Sequence, residues 1–77
     1  MISDQQNIIV AIALPVLNEE KTLDKNVRII LEYIDKNIHR YQVMICIADN
    51  GSNDKTEEIS RKLELNFPEK VFYYKEL

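Results

Sequence analysis

The stretch VMICIADNGSNDKTEE, residues 43–58, decides the fold because its character changes twice along its length. Its first six residues are apolar and do not alternate with polar ones, which is typical of a strand buried on both faces of a parallel sheet. Turn-forming residues follow, and they lead into a segment with acidic residues first and basic residues later, the order that suits a helix dipole. The stretch therefore predicts a strand, a polar loop and a helix in succession.

The same order of elements continues on both sides of this stretch. Upstream, the run IIVAIAL at residues 8–14 predicts another buried strand, and residues 22–37 carry the apolar stripe of a helix. Downstream, residues 55–65 predict a second helix and residues 71–74, VFYY, predict a third strand. Strands that alternate with helices form parallel sheets with right-handed crossovers. We therefore predict an α/β fold, a three-layer-type parallel sheet fragment in the order β-α-β-α-β, with Pro15 ending the first strand.

This topology leaves one face of the predicted sheet without cover. With the strand order 3-2-1, both helices lie on the same face, so the opposite face and the outer edge of the first strand have no partner. The expectation is that residues 1–77 form a single partial domain, the N-terminal segment of a larger one, or that the chain self-associates through this sheet.

Composition narrows the class of protein. The 77 residues are 45% hydrophobic and 30% charged, as in globular proteins, and the net charge of −3 argues against a nucleic-acid partner. Cys46 is the only cysteine and lies in an apolar run, which favours a reduced core thiol. Residues 1–7 lack lysine and arginine, and residues 8–17 are too short for a membrane span, so we expect a cytoplasmic location.

Two polar stretches, residues 15–21 and 49–54, follow the first and second strands. Ligands of open parallel sheets bind outside the carboxyl ends of the strands, so both stretches are candidate sites. Helix capping explains part of them, with Asn18 capping the first helix and Asp54 forming a capping box with Glu57. Asp49 comes directly after the strand and before the cap, which leaves a ligand role open.

Other chemistries lack their sequence patterns. Neither of the glycine-rich phosphate-binding motifs GxGxxG and GxxxxGK[ST] occurs in the chain. His39 is the only histidine, and we predict it at the end of the sheet opposite the polar stretches, so nucleophile–histidine pairs are excluded there.

The two polar stretches together carry a family resemblance. ALPVLNEEKTL at residues 13–23 and ICIADNGSNDKT at residues 45–56 resemble the opening of inverting family 2 glycosyltransferases. The family signature is P-x-Y-N-E, a helix, and a strand that ends in D-D-G-S-x-D. The variant in this chain is most similar to dolichyl- or polyprenyl-phosphate sugar transferases. The resemblance implies the N-terminal half of a GT-A domain, a Rossmann-like fold that binds nucleotide-diphospho-sugars.

The resemblance also assigns site residues. Pro15, Leu17 and Glu19 match the first motif and are expected to contact the nucleoside. Asp49 and Asn50 match the two acidic positions of the second motif, with Asp49 hydrogen-bonded to the base or ribose and Asn50 lining the nucleotide pocket. Two departures matter: Leu17 replaces the usual tyrosine, so aliphatic contact replaces stacking, and Asn50 removes a negative charge near the diphosphate.

The implied function is transfer of a sugar from a UDP- or GDP-linked donor to a polyprenyl-phosphate or glycan acceptor. The family's metal-binding Asp-x-Asp and its catalytic base have no match in the 77 residues, so no catalytic or metal-binding residue is assigned. Mg²⁺ or Mn²⁺ is expected in full-length relatives, which often work at the cytoplasmic membrane face, and the chain alone is expected to be inactive. The alternative is a non-catalytic α/β interaction module that self-associates or pairs with a partner chain.

Overall fold

The computed structural model describes residues 8–76 and confirms the predicted β-α-β-α-β order. The elements are strand β1 (Ile9–Val16), helix α1 (Leu23–Asn37), strand β2 (Gln42–Asp49), helix α2 (Thr56–Asn66) and strand β3 (Val71–Lys75). The predicted strands and helices match these bounds to within two residues at each end.

The largest difference is at Pro15, which was predicted to end the first strand but lies inside β1. The carbonyl of Val16 accepts from the amide of Asn50 (3.0 Å), and that of Ile8 accepts from the amide of Gln42 (3.1 Å). The even-numbered residues of β1 therefore pair with β2, and the nitrogen of Pro15 faces the outer edge. A proline without an N–H is tolerated there because no neighbouring strand needs its hydrogen.

The three strands form a parallel sheet in the order β1-β2-β3, and both helices pack on one face of it. A single buried cluster takes side chains from every strand and both helices. Its members are Val16, Leu23, Val27, Ile45, Ile47, Leu63, Val71 and Tyr73. The structure thus confirms the α/β fold and the prediction that the two helices share a face, and this shared packing holds the ends of β1 and β2 in register.

The opposite face of the sheet is apolar and exposed. Ile9 is 55% exposed and Tyr74 is 49% exposed, and no element among the described residues covers them. Cys46 is a free cysteine that is half-buried on this face, so the prediction of a core position for its thiol is wrong. Alternation along β2 explains this, since Ile45 and Ile47 point to the helices and Cys46 points away. Self-association through this face stays a prediction.

One buried hydroxyl in α2 leads to a stability prediction. Ser60 is fully buried, and its hydroxyl has no hydrogen-bond partner within the described chain. Replacing Ser60 with alanine should raise the free energy of unfolding by about 1 kcal/mol, because it removes an unpaired polar group and adds helix propensity. Urea denaturation followed by circular dichroism would measure it. Ser52→Ala is the control and should destabilise, since its hydroxyl accepts from the amide of Asn18 (2.8 Å). A loss of stability in Ser60→Ala would contradict the prediction.

Candidate nucleotide site

The carboxyl ends of β1 and β2 lie side by side, with Val16 opposite Asp49 in the parallel register. Two loops leave this edge of the sheet: the first loop, residues 17–22, leads into α1, and the second loop, residues 50–55, leads into α2. The structure therefore brings together the two polar stretches, as their positions at strand ends predicted.

The first loop uses its backbone amides to bind the second loop and the start of α2. Three consecutive amides donate to side-chain oxygens there. The pairs are Asn18 to Ser52 Oγ (2.8 Å), Glu19 to Thr56 Oγ1 (2.8 Å) and Glu20 to Asp54 Oδ2 (3.2 Å). These amides are therefore occupied within the protein and are not offered to a ligand.

Backbone amides of the second loop also donate to side chains of the first loop. The amide of Asn53 donates to Asn18 Oδ1 (2.7 Å), and the amide of Lys55 donates to Glu20 Oε1 (2.9 Å). These two bonds and the previous three are the cross-loop hydrogen bonds. Because donors and acceptors come from both sides, each loop fixes the conformation of the other.

Asn18 does not cap α1, so that prediction is wrong. Its φ of 51° places it in the left-handed region, which asparagine tolerates better than most residues. Its side chain is engaged by Asn53, and α1 begins later, at Leu23. The first turn of the helix is instead closed by the carbonyl of Glu19, which accepts from the amides of Thr22 (3.1 Å) and Leu23 (2.9 Å).

The predicted capping box of α2 is also absent. Asp54 Oδ1 accepts from the amide of Thr56 (2.9 Å), the first residue of the helix, rather than from Glu57. The carboxylate of Glu57 turns away and pairs with Arg61 and Lys75, both at 3.0 Å. Asp54 therefore satisfies the start of α2 and also receives the amide of Glu20, a link between elements that the local sequence pattern does not show.

Asp49 ends β2 with its side chain buried beneath the second loop, and only 1% of the residue is exposed. Its Oδ1 accepts from the amides of Gly51 (3.1 Å) and Ser52 (2.9 Å), and its Oδ2 accepts from the hydroxyl of Tyr73 (2.8 Å). Burial alone would raise the pKa of this carboxyl, but the hydrogen bonds from Ser52, Tyr73 and Gly51 outweigh it and lower the pKa. Asp49 is therefore a charged group enclosed by its donors.

The other four predicted site residues are exposed at this edge: Pro15, Leu17, Glu19 and Asn50. The side chain of Leu17 is 52% exposed and offers an apolar surface next to the polar loops. A cleft of about 110 Å³ lies beside β1, lined by Leu14, Pro15, Val16, Glu19, Leu23 and Asn26. All five predicted residues thus lie at the same edge of the sheet. Asp49 is buried there, whereas the other four are exposed.

The sequence profile described as glycosyl transferase family 2 matches residues 11–76, which include every described element except the first residues of β1. The chain belongs to glycosyl transferase family 2. The Glucosyl-3-phosphoglycerate synthase of Petrotoga mobilis (strain DSM 10674 / SJ95) is 31% identical to the chain over 74 residues. That match covers 94% of this chain and 21% of the synthase, so the chain spans about a fifth of the length of this relative. No solved structure gives a significant match.

Three contributors to this candidate site were missed in the sequence: Ser52, Thr56 and Tyr73. The side chains of Ser52 and Thr56 are directed to the first loop, whereas local turn and cap chemistry explained them equally well. The sequence predicts only a strand at residues 71–74, yet the hydroxyl of Tyr73 in that strand reaches Asp49 across 24 residues of sequence. Strand alternation carried the signal, because Tyr73 shares a face with the buried Val71.

No group of three or more His, Cys, Asp or Glu side chains between residues 8 and 76 is arranged to hold a metal ion. His39 lies in the loop between α1 and β2, at the other end of the sheet, where its Nε2 is 3.1 Å from the carbonyl of Lys36. Neither described helix is long and apolar enough to cross a bilayer.

Proposed function

We propose that this chain is the nucleoside-binding segment of a glycosyltransferase that transfers a sugar from a UDP- or GDP-linked donor. The observation that carries the proposal is the register of β1 and β2, which places both family motifs on one edge of the sheet. Pro15 and Glu19 line the cleft beside β1, and Leu17 and Asn50 are exposed on the loops that leave the same edge.

Each exposed side chain has a distinct role in this proposal. Leu17 offers an apolar surface to one face of the base, in the position where the family usually has an aromatic ring. The amide of Asn50 both donates and accepts, so it can pair with a base edge or a ribose hydroxyl. Glu19 can accept from ribose hydroxyls, although its Oε1 already accepts from the hydroxyl of Thr22 (3.2 Å). Asp49 supports the second loop from below and is the fifth member of the proposed site.

The proposed acceptor of the sugar is a polyprenyl phosphate or a glycan. The polyprenyl-phosphate or glycan acceptor rests on the form of the two motifs, and a cytoplasmic location belongs to the same proposal. The name of the Petrotoga mobilis synthase favours 3-phosphoglycerate as a second candidate acceptor. The alternative of a non-catalytic interaction module has no support in these comparisons.

Mg²⁺ or Mn²⁺ is expected in full-length relatives and is not assigned to a site in this chain. The described residues do not provide a donor set for Mg²⁺ or Mn²⁺, so no step of the transfer is assigned through a metal in this chain. Its own contribution is recognition of the nucleoside, and we expect no turnover from the 77 residues alone.

Isothermal titration of the chain with UDP-glucose and GDP-mannose tests the proposal. The wild type should bind one of them weakly, and Asn50→Ala should weaken binding up to about tenfold through loss of a hydrogen bond. Asp49→Ala should abolish binding.

Asn37→Ala is the matched control, because Asn37 lies at the end of α1 and bonds only locally to the carbonyl of Tyr33 (3.0 Å). Its affinity should equal that of the wild type. Failure of the wild type to bind either nucleotide sugar would overturn the proposed function. Equal affinities of the wild type, Asn50→Ala and Asp49→Ala would overturn the site.

A further inference from the structure

The side chain of Tyr73 lies between the core and the site. It projects from β3 toward the helices, is 8% exposed, and its ring lies 5.0 Å from the guanidinium carbon of Arg61. Its hydroxyl donates to Asp49 Oδ2 (2.8 Å). The hydrogen bond therefore connects the third strand, which carries no motif residue, to the end of the second.

Asp49 is also hydrogen-bonded to the second loop. Its Oδ1 holds the amides of Gly51 and Ser52, and Gly51 has a φ of 101°, a conformation that few other residues adopt. Ser52 Oγ in turn accepts from the amide of Asn18 in the first loop. A continuous path of hydrogen bonds thus runs from Tyr73 through one carboxylate to both loops.

The carboxylate group of Asp49 is planar, so a hydrogen bond that fixes one of its oxygens also restricts the direction in which the other points. With its hydroxyl on Oδ2, Tyr73 holds Oδ1 toward the loop amides. We propose that Tyr73 is a positioning residue, which acts through Asp49 to hold the turn that presents Asn50. This role in ligand binding rests on the proposed function, whereas the effect on the turn can be measured without a ligand.

Packing alone does not account for the hydroxyl. A phenylalanine would fill the same space beneath α2 and keep the contact of the ring with Arg61. What it would lose is the single donor to Asp49 Oδ2. Tyr73→Phe therefore separates positioning from core packing, and Tyr74→Phe is its matched control, since Tyr74 is the next residue but lies exposed on the open face.

The first measurement uses isotope-labelled chain without ligand. NMR titration of the Asp49 carboxyl and hydrogen exchange at the Gly51 and Ser52 amides report on the turn. Tyr73→Phe should raise the pKa of Asp49, because a donor to the charged form is lost, and should speed exchange at both amides about tenfold. Tyr74→Phe should leave both unchanged. An unchanged Asp49 titration and unchanged exchange in Tyr73→Phe would overturn the proposal.

The second measurement is a double-mutant cycle on UDP-glucose affinity with Tyr73→Phe and Asp49→Asn. If Tyr73 acts through Asp49, the double variant loses no more affinity than Asp49→Asn alone. Additive losses would overturn the path through the carboxylate. A wild type that binds no nucleotide sugar would refute the proposed function and with it the binding role, while the NMR result would still decide the effect on the turn.

Discussion

Replacement of Asp49 by alanine is expected to lower the free energy of unfolding by about 3 kcal/mol. The change leaves the hydroxyl of Tyr73 and the amides of Gly51 and Ser52 without their acceptor, and the Tyr73 side chain is buried. A single core in a chain of this size supplies only about 3–5 kcal/mol in total. The variant should therefore retain at most about 2 kcal/mol and unfold at a much lower urea concentration than the wild type.

Urea denaturation followed by circular dichroism measures this loss. Asp49→Asn keeps the shape and one acceptor oxygen, so it should lose less stability than Asp49→Ala. Asp35→Ala is the control for removal of a carboxylate, because Asp35 is exposed on α1, and its unfolding free energy should stay within about 0.5 kcal/mol of the wild type. An Asp49→Ala protein as stable as the control would show that the loop amides find other acceptors.

The same carboxylate gives the stability a defined pH dependence. The pKa of Asp49 is lowered in the folded protein, against about 3.9 for an unperturbed aspartate, because the hydrogen bonds from Ser52, Tyr73 and Gly51 outweigh burial. The charged form therefore stabilises the fold above about pH 4, and this contribution is lost as the pH falls through the folded pKa. The difference in unfolding free energy between the wild type and Asp49→Asn should be constant near neutrality and shrink in acid.

The fold could be predicted because each element depends on short-range patterns. Unalternating apolar runs mark β1 and β2, and the apolar stripe at residues 22–37 marks α1. Topology predicted that the two polar stretches meet, since parallel neighbours end at one edge. Pro15 was misjudged because its effect depends on which side of β1 lacks a partner, and that is a property of the sheet rather than of the strand.

The interior of the site could not be predicted for a different reason. Ser52 and Asp54 carry oxygens that can satisfy their own turn or an amide elsewhere, and the two uses differ by little free energy. The first loop lies within hydrogen-bond distance of the second because the sheet places the ends of β1 and β2 side by side. Sequence therefore shows which groups can bond, whereas the tertiary approach of the loops decides which of them do.

The cross-loop hydrogen bonds yield the second large expected effect, at Thr56. This residue is fully buried, and its hydroxyl accepts from the amide of Glu19 (2.8 Å) and donates to Asp54 Oδ1 (2.5 Å). Thr56→Val preserves the shape but leaves the Glu19 amide without an acceptor, which should lower the free energy of unfolding by about 2 kcal/mol. Urea denaturation measures the loss, and hydrogen exchange at the Glu19 amide should become faster.

Thr22→Val is the matched control, because Thr22 is exposed and its hydroxyl makes only a 3.2 Å contact with Glu19 Oε1. It should change stability by less than about 0.5 kcal/mol. Thr56→Ser, which keeps the hydroxyl and loses one methyl group, should cost about 1 kcal/mol. If Thr56→Val were more stable than Thr56→Ser, the methyl group and not the hydrogen bond would hold the loops together. If Thr56→Ser is the more stable variant, the hydroxyl of Thr56 holds the two loops together. That hydroxyl then also fixes the approach of the two motifs, on which the proposed nucleoside site depends.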